Sequence, residues 1–89
     1  MIVGMAEELD LYAGVPLYVQ VARIIEGEIR QGQWPSGGVV PSRTQLAQRF
    51  NVASETARHA MRHLAERGYL VSVPGLGMVV TPEDRWRDG

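Results

Sequence analysis

The stretch from Pro41 to Thr81 carries two short helical patterns, a three-residue break between them and a hairpin pattern after the second helix. The second helix is predicted from about Glu55 to Arg67 on three- and four-residue apolar spacing. Two runs rich in strand-forming residues, 69–73 and 78–81, follow on either side of a Pro-Gly-Leu-Gly turn. Two helices followed by a hairpin are typical of a winged helix-turn-helix, in which one helix enters a groove of DNA.

Local signals predict where these helices begin and end. Ser42, with Gln45 three residues later, has the pattern of a capping box for the first helix. Val52 lies in the break and is expected to be the apolar plug that fixes the angle between the helices, and Ser54 is expected to cap the second helix. Gly68 suits the position after that helix. The buried face of the second helix is predicted to be Ala57, Ala60, Met61 and Leu64.

A longer amphipathic helix is predicted upstream, opening at Pro16 and ending near Gly32. Its apolar residues recur at helical spacing: Leu17, Val21, Ile24, Ile25 and Ile29. Gly27 inside it indicates either close packing or a locally weak helix. The whole chain is therefore predicted to be one α+β domain, a winged helix-turn-helix of three helices and a β-hairpin wing, with flexible ends at 1–14 and 83–89.

The composition excludes several classes of protein. The chain has no cysteine, which excludes disulfides and thiolate metal sites and fits a reducing, cytoplasmic location. No apolar run approaches the roughly 20 residues that a membrane span needs, so no membrane partner is expected. At 89 residues the chain is near the size at which association helps stability, and a homodimer is expected.

The charge is distributed unevenly along the chain. The net charge of −1 argues against a nucleic-acid partner when only the total is considered. Residues 1–14, however, carry three acidic side chains and no basic one, whereas residues 42–67 carry five arginines against two glutamates. The positive charge therefore coincides with the predicted helix-turn-helix.

Several linked motifs resemble the DNA-binding domain of the GntR family of bacterial transcription regulators over about residues 16–81. The motifs are Pro16-Leu17-Tyr18, Gly32, Pro41-Ser42, Leu46-Ala47, Thr56 and Arg58 with Ala60-Met61, Gly68 and Gly75-Leu76-Gly77. The resemblance implies that Ser42 and its neighbours meet backbone phosphate and that Thr56 and Arg58 contact the operator. It also implies that the turn holding Gly75 and Gly77 is a wing tip that approaches the minor groove.

The chain departs from the family pattern at three places. Ser54 stands where a basic residue is frequent, and Glu55 follows it. Thr44 stands where arginine is frequent, with Arg43 beside it as a candidate substitute. The wing strands have no arginine or lysine. Fewer positive charges imply weaker binding to DNA of any sequence and a shallower dependence of affinity on salt.

Physical chemistry assigns roles to side chains on the exposed face of the helix predicted from about Glu55 to Arg67, the third helix of the domain. Arg58 is the best candidate for two parallel hydrogen bonds to guanine, and Arg62 is expected to contact phosphate or a base. Glu55 can accept a hydrogen bond from the cytosine amino group or repel wrong registers. His59 is expected to meet a phosphate. Glu55, His59 and His63 share the spacing of a helical metal site, but no fourth ligand is evident and no metal or other cofactor is predicted.

The sequence thus predicts a regulator that binds a palindromic double-stranded operator as a homodimer and represses transcription by occupancy, with half-sites about one helical turn apart. The alternative is a winged-helix module whose exposed third helix binds a protein instead of DNA. An enzyme is not expected, since the chain has no cysteine nucleophile, triad or phosphate-binding glycine loop. Only eight residues follow Thr81, so neither an effector domain nor a small-molecule effector site is expected.

Overall fold

The computed structural model describes residues 9–87. In that part of the chain, three α-helices precede a two-stranded antiparallel hairpin, and a short 3-10 turn follows it. The bounds are α1 Leu17–Arg30, α2 Arg43–Phe50, α3 Ser54–Glu66, β1 Leu70–Val73 and β2 Gly77–Val80, with the 3-10 turn at Glu83–Arg85. The predicted set of three helices and a hairpin is confirmed. The predictions made for residues 1–8 and 88–89 lie outside the described residues.

Helix α1 buries one apolar face, made by Val21, Ala22, Ile25 and Ile29. The helix ends at Arg30, and Gly32 just beyond it has a φ of +84°, a backbone conformation that glycine adopts without strain. A Cβ built on Gly27 meets no atom within 4 Å. No neighbouring atom therefore requires a glycine here, and close packing does not explain Gly27.

The start of α2 confirms the cap predicted from the sequence, whereas the start of α3 differs from its predicted cap. Ser42 and Gln45 form the predicted capping box, with the Gln45 amide donating to Ser42 Oγ at 3.2 Å. The prediction that Ser54 caps α3 is wrong. Ala53 is the capping residue and has no side-chain cap, while its carbonyl accepts from the Ala57 amide at 3.2 Å. Ser54 is consequently the first residue inside the helix.

Strand β2 is paired on both of its edges. Its antiparallel partner β1 places Leu70 opposite Val80, and on the other edge Val39 forms an isolated bridge with Val79. The Val40 amide donates to the carbonyl of Met78 at 3.0 Å, so the segment that leads into α2 is hydrogen-bonded to the hairpin. The start of α2 and the wing are thus held in one frame by backbone hydrogen bonds.

The corner between α3 and β1 is built around the buried side chain of Tyr69. Its hydroxyl donates to Oε2 of Glu26 on α1 at 3.0 Å, and its ring stacks on Trp86 with centroids 5.3 Å apart. The Arg87 amide donates to the carbonyl of Arg67 at 2.9 Å. Residues 83–87, for which the sequence predicts a flexible end, therefore lie against this corner.

Gly68 at the same corner allows a direct comparison with Gly75 in the wing turn. Both have a left-handed φ, +86° and +88°, so alanine at either position should cost about 1–2 kcal/mol of backbone strain. A Cβ at Gly68 would also collide with the carbonyl oxygen of Arg85, whereas a Cβ at Gly75 meets nothing within 4 Å. We expect Gly68→Ala to lower the free energy of unfolding in urea by about 1–3 kcal/mol more than Gly75→Ala does. Equal losses would show that the segment after β2 does not press on Gly68.

A mostly buried ion pair joins α1 to α2. Oε1 of Glu28 accepts from Nη1 of Arg49 and from Nε1 of Trp34, each at 3.0 Å, and a second Arg49 nitrogen donates to the other carboxylate oxygen. The side chain of Glu28 is only 15% exposed. The hydrogen bond from Arg49 holds the pKa of Glu28 below its ordinary value of 4.5, against the opposing effect of burial.

Glu28→Gln should lower the free energy of unfolding by about 1–3 kcal/mol at neutral pH, because Arg49 loses its charged partner. Since the pKa of Glu28 is lowered on folding, this stabilisation is present above pH 4.5 and is lost as the pH falls through the folded-state pKa. Urea unfolding should therefore show a gap between the wild type and the variant that narrows as the pH is lowered from neutral into the range below 4.5. A gap of the same size at neutral and acid pH would contradict this assignment. Glu66→Gln, at an exposed position, is the control and should change stability little.

Candidate nucleic-acid interface

Helix α3 has one buried face and one outward face. The buried face contains the predicted residues Ala57, Ala60, Met61 and Leu64. On the other side Ser54, Glu55 and Arg62 are exposed, and Thr56, Arg58 and His59 are half-buried. Because helical side chains repeat every 3.6 residues, burial of the first set turns the second set away from the core. The predicted contact residues of α3 therefore lie at the surface of the protein.

Three arginines from two helices lie along one shallow groove, here called the arginine groove. Arg43 comes from the first turn of α2, and Arg58 and Arg62 come from α3. Met61 and Ala65 of α3 and Met78 of β2 line the same groove. Arginines up to 19 positions apart in the sequence thus form a single positive surface over an apolar floor. Such a surface suits the phosphates and grooves of a nucleic acid.

Glu55 is the acidic residue beside this groove, and it is paired. Oε2 of Glu55 accepts from Nε of Arg58 at 3.0 Å and from a terminal nitrogen of the same guanidinium. The hydrogen bond from Arg58 lowers the pKa of Glu55, and the charges of Arg58, Arg43 and Arg62 act in the same direction. Glu55 is thus ionised at neutral pH and lies within the field of all three arginines.

Tyr18 is a residue of this surface to which sequence reasoning gave no role. Its ring stacks on His59 with centroids 3.6 Å apart and planes 7° apart, and it meets His63 edge-on at 5.7 Å. Tyr18 also lines a depression with Leu17, Glu55, Thr56 and His59. The Pro-Leu-Tyr motif marks the start of α1, but no local signal indicates a contact across 41 positions of sequence.

The wing tip lies beside the start of α2. Leu76 is 62% exposed at the apex of the turn, between Gly75 and Gly77, whose φ angles are +88° and +114°. Leu76 and Gly77 line a common groove with Ser42 and Arg43. No residue from Tyr69 to Pro82 is charged, so the wing brings backbone and apolar groups to this surface.

The structure thus brings several of the predicted residues together in two connected grooves. The arginine groove holds Arg43, Arg58 and Arg62, and the groove beside the wing holds Ser42, Arg43 and Gly77, so that Arg43 belongs to both. Within residues 9–87, no three His, Cys, Asp or Glu side chains are placed to hold a metal ion. No helix in the described part of the chain is long and apolar enough to cross a membrane.

Comparison with known proteins places this geometry in a family. The model for bacterial regulatory proteins of the gntR family matches residues 17–80. The uncharacterised HTH-type transcriptional regulator RB1450 of Rhizobium meliloti is 36% identical over 81 residues, which cover 91% of this chain and 33% of that protein. The histidine utilization repressor of Pseudomonas aeruginosa is 35% identical over 65 residues, which cover 73% of this chain and 26% of that protein. The chain spans about a third or less of the length of these relatives.

A solved structure, AraR(DBD) in complex with operator ORR3, superposes on this chain with a TM-score of 0.73 at 34% identity. The superposition covers 82% of this chain and 88% of that one. The predicted fold class, an α+β winged helix-turn-helix with three helices and a hairpin wing, is confirmed by this likeness and by the elements described above.

Proposed function

Because this chain belongs to the GntR family of bacterial regulatory proteins, we propose that it binds a specific double-stranded operator and represses transcription by occupying it. The observation that carries the proposal is the convergence of Arg43, Arg58 and Arg62 in one groove on the outward face of α3. The operator in the AraR(DBD) complex and the histidine utilization repressor support it. Membership of a family of regulatory proteins is also consistent with the prediction that the chain is not an enzyme.

The N-terminal part of α3, residues 54–59, is the proposed reading element. A recognition helix presents its N-terminal residues to base edges in the major groove, and Arg58 can donate two parallel hydrogen bonds to guanine. Ser54 and Thr56 lie in the first turn of α3 and serve as short hydroxyl donors to bases or phosphates. Glu55 and His59 complete this set of residues, with Glu55 facing base edges and His59 facing a phosphate.

The flanking elements are proposed to hold the DNA backbone. Ser42, Arg43 and Thr44 open α2, and there the positive end of the helix dipole and the arginine charge favour phosphate. Arg62 lies one turn after Arg58 and is placed to reach the phosphates that border the major groove. The wing tip at Gly75 and Gly77 allows a close approach of backbone to the minor groove, because neither residue has a side chain.

We propose further that two copies bind a palindromic operator as a homodimer, in the cytoplasm. One α3 reads a few base pairs, and two copies related by a two-fold axis read two half-sites about one helical turn apart. The small size of the domain supports association, since a single reading helix gives limited affinity at physiological salt.

Arginine substitutions test the proposal on a duplex selected from a random pool and on a random duplex. We expect Arg58→Ala to cost about 1–3 kcal/mol of binding free energy on the selected duplex and less on the random one. Arg62→Ala should weaken binding to both duplexes by similar factors and reduce the slope of log affinity against log salt by about 0.9. Affinities measured by fluorescence anisotropy at two or more salt concentrations give both quantities.

Arg85→Ala is the matched control, since it removes the same charge from an exposed position at the Gly68 corner, beyond the C-terminal end of α3. It should change both affinities little. If Arg85→Ala weakens binding as much as Arg58→Ala, net charge and not the groove explains the affinity. If no selected or random duplex binds even at low salt, DNA binding is wrong and a protein partner of the exposed helix becomes the better explanation.

A further inference from the structure

We propose that Glu55 is a positioning residue that holds Arg58 in the orientation needed to read guanine, and that it thereby determines specificity. The inference rests on the proposed function and deepens it. The residues of α3 show an apparent conflict of charge. An acidic residue in the first turn of a reading helix repels phosphate, yet here Glu55 lies beside the three arginines of the arginine groove.

The geometry of the pair resolves this conflict. A guanidinium has five N–H donors and two edges that can each make two parallel hydrogen bonds. Glu55 accepts from Nε and Nη2 of Arg58, which are the donors of the side edge. The end edge, formed by Nη1 and the second hydrogen of Nη2, remains turned away from the carboxylate. That edge can donate to O6 and N7 of guanine while the ion pair stays intact.

The solvent exposure of the Glu55–Arg58 ion pair determines whether it contributes to folding stability. The side chain of Arg58 is 42% exposed and that of Glu55 is 72% exposed, so the pair contributes little to folding stability. Its effect is on the freedom of Arg58, because an arginine anchored at one edge samples fewer rotamers and loses less entropy on reading a base. An arginine without this anchor reaches phosphates as readily as bases.

Glu55 also acts against non-cognate DNA. Where the contacted base is not guanine, the Glu55 carboxylate lies near the DNA phosphates and no hydrogen bonds from Arg58 to a guanine compensate the repulsion. Binding to random sequence is then weakened by repulsion, while binding to the selected sequence retains the oriented Arg58. Both effects raise the ratio of selected to random affinity, and this ratio is the measurable consequence.

Two variants of Glu55 separate positioning from charge. Glu55→Gln keeps the size and removes the charge, whereas Glu55→Asp keeps the charge but shortens the reach to Arg58 by one methylene. We expect the ratio of selected to random affinity to fall roughly 3- to 10-fold in both variants, since both disturb the paired edge. If charge alone matters, Glu55→Asp will behave as the wild type and the positioning role is wrong.

Two further measurements exclude a merely structural role. In an Arg58→Ala background, Glu55→Gln should leave the ratio unchanged, because no arginine is left to orient and the carboxylate then repels selected and random DNA alike. Glu66→Gln, which removes the same charge from the exposed last residue of α3, should leave the ratio of the wild type unchanged. A fall in the ratio in either of these two experiments would overturn the inference.

The outcome for the wild type separates this inference from the proposed function. A wild type that binds selected and random duplexes equally would contradict sequence-specific binding itself. A wild type that discriminates, together with Glu55 variants that retain the full ratio, would overturn the role of Glu55 alone.

Discussion

The burial of small side chains on α3 determines which way this helix faces, and the rest of the candidate interface depends on that orientation. Ala57 and Ala60 are almost completely buried, and helix α3 packs against both α1 and α2. Side chains this small allow the helix backbones to approach closely, and Leu64 fills the core one turn further on. Since only one face of α3 is apolar, close packing of that face leaves Arg58 and Arg62 outside the core.

Strand β2 is the second constraint, because it connects elements that would otherwise be independent. It pairs with β1 to make the wing and with Val39 on its other edge, just before α2 begins. The arginine groove contains one residue from α2, residues of α3 and Met78 from β2. Its shape therefore depends on hydrogen bonds between backbone segments that lie far apart in the sequence. A rigid frame of this kind suits a surface that must match the spacing of two DNA grooves.

Local signals carried most of what the sequence could predict. The capping box at Ser42, the buried face of α3 and the hairpin each follow from residues only a few positions apart. The prediction that Ser54 caps α3 also relied on a local signal and was wrong. A local preference for serine does not distinguish the capping position from the first helical residue. The GntR resemblance, read from linked motifs, gave the family correctly.

Contacts between residues far apart in the chain could not be predicted from the sequence. The stacking of Tyr18 on His59, the pairing of Val39 with Val79 and the packing of Trp86 on Tyr69 each depend on how the elements are assembled. The Glu55–Arg58 pair is different, because the spacing of three residues on a helix allows it. The sequence does not indicate, however, which edge of the Arg58 guanidinium donates to the Glu55 carboxylate.

Backbone amide shifts of the isotope-labelled protein, recorded while the selected duplex is added, test most directly whether one face binds DNA. We expect the largest shifts at 42–44, 54–59 and 75–77, which are the start of α2, the start of α3 and the wing tip. We expect small shifts at 83–87, the segment that packs on the Gly68 corner. Shifts concentrated at 83–87 or on the outer face of α1, with the start of α3 unchanged, would contradict binding through this face.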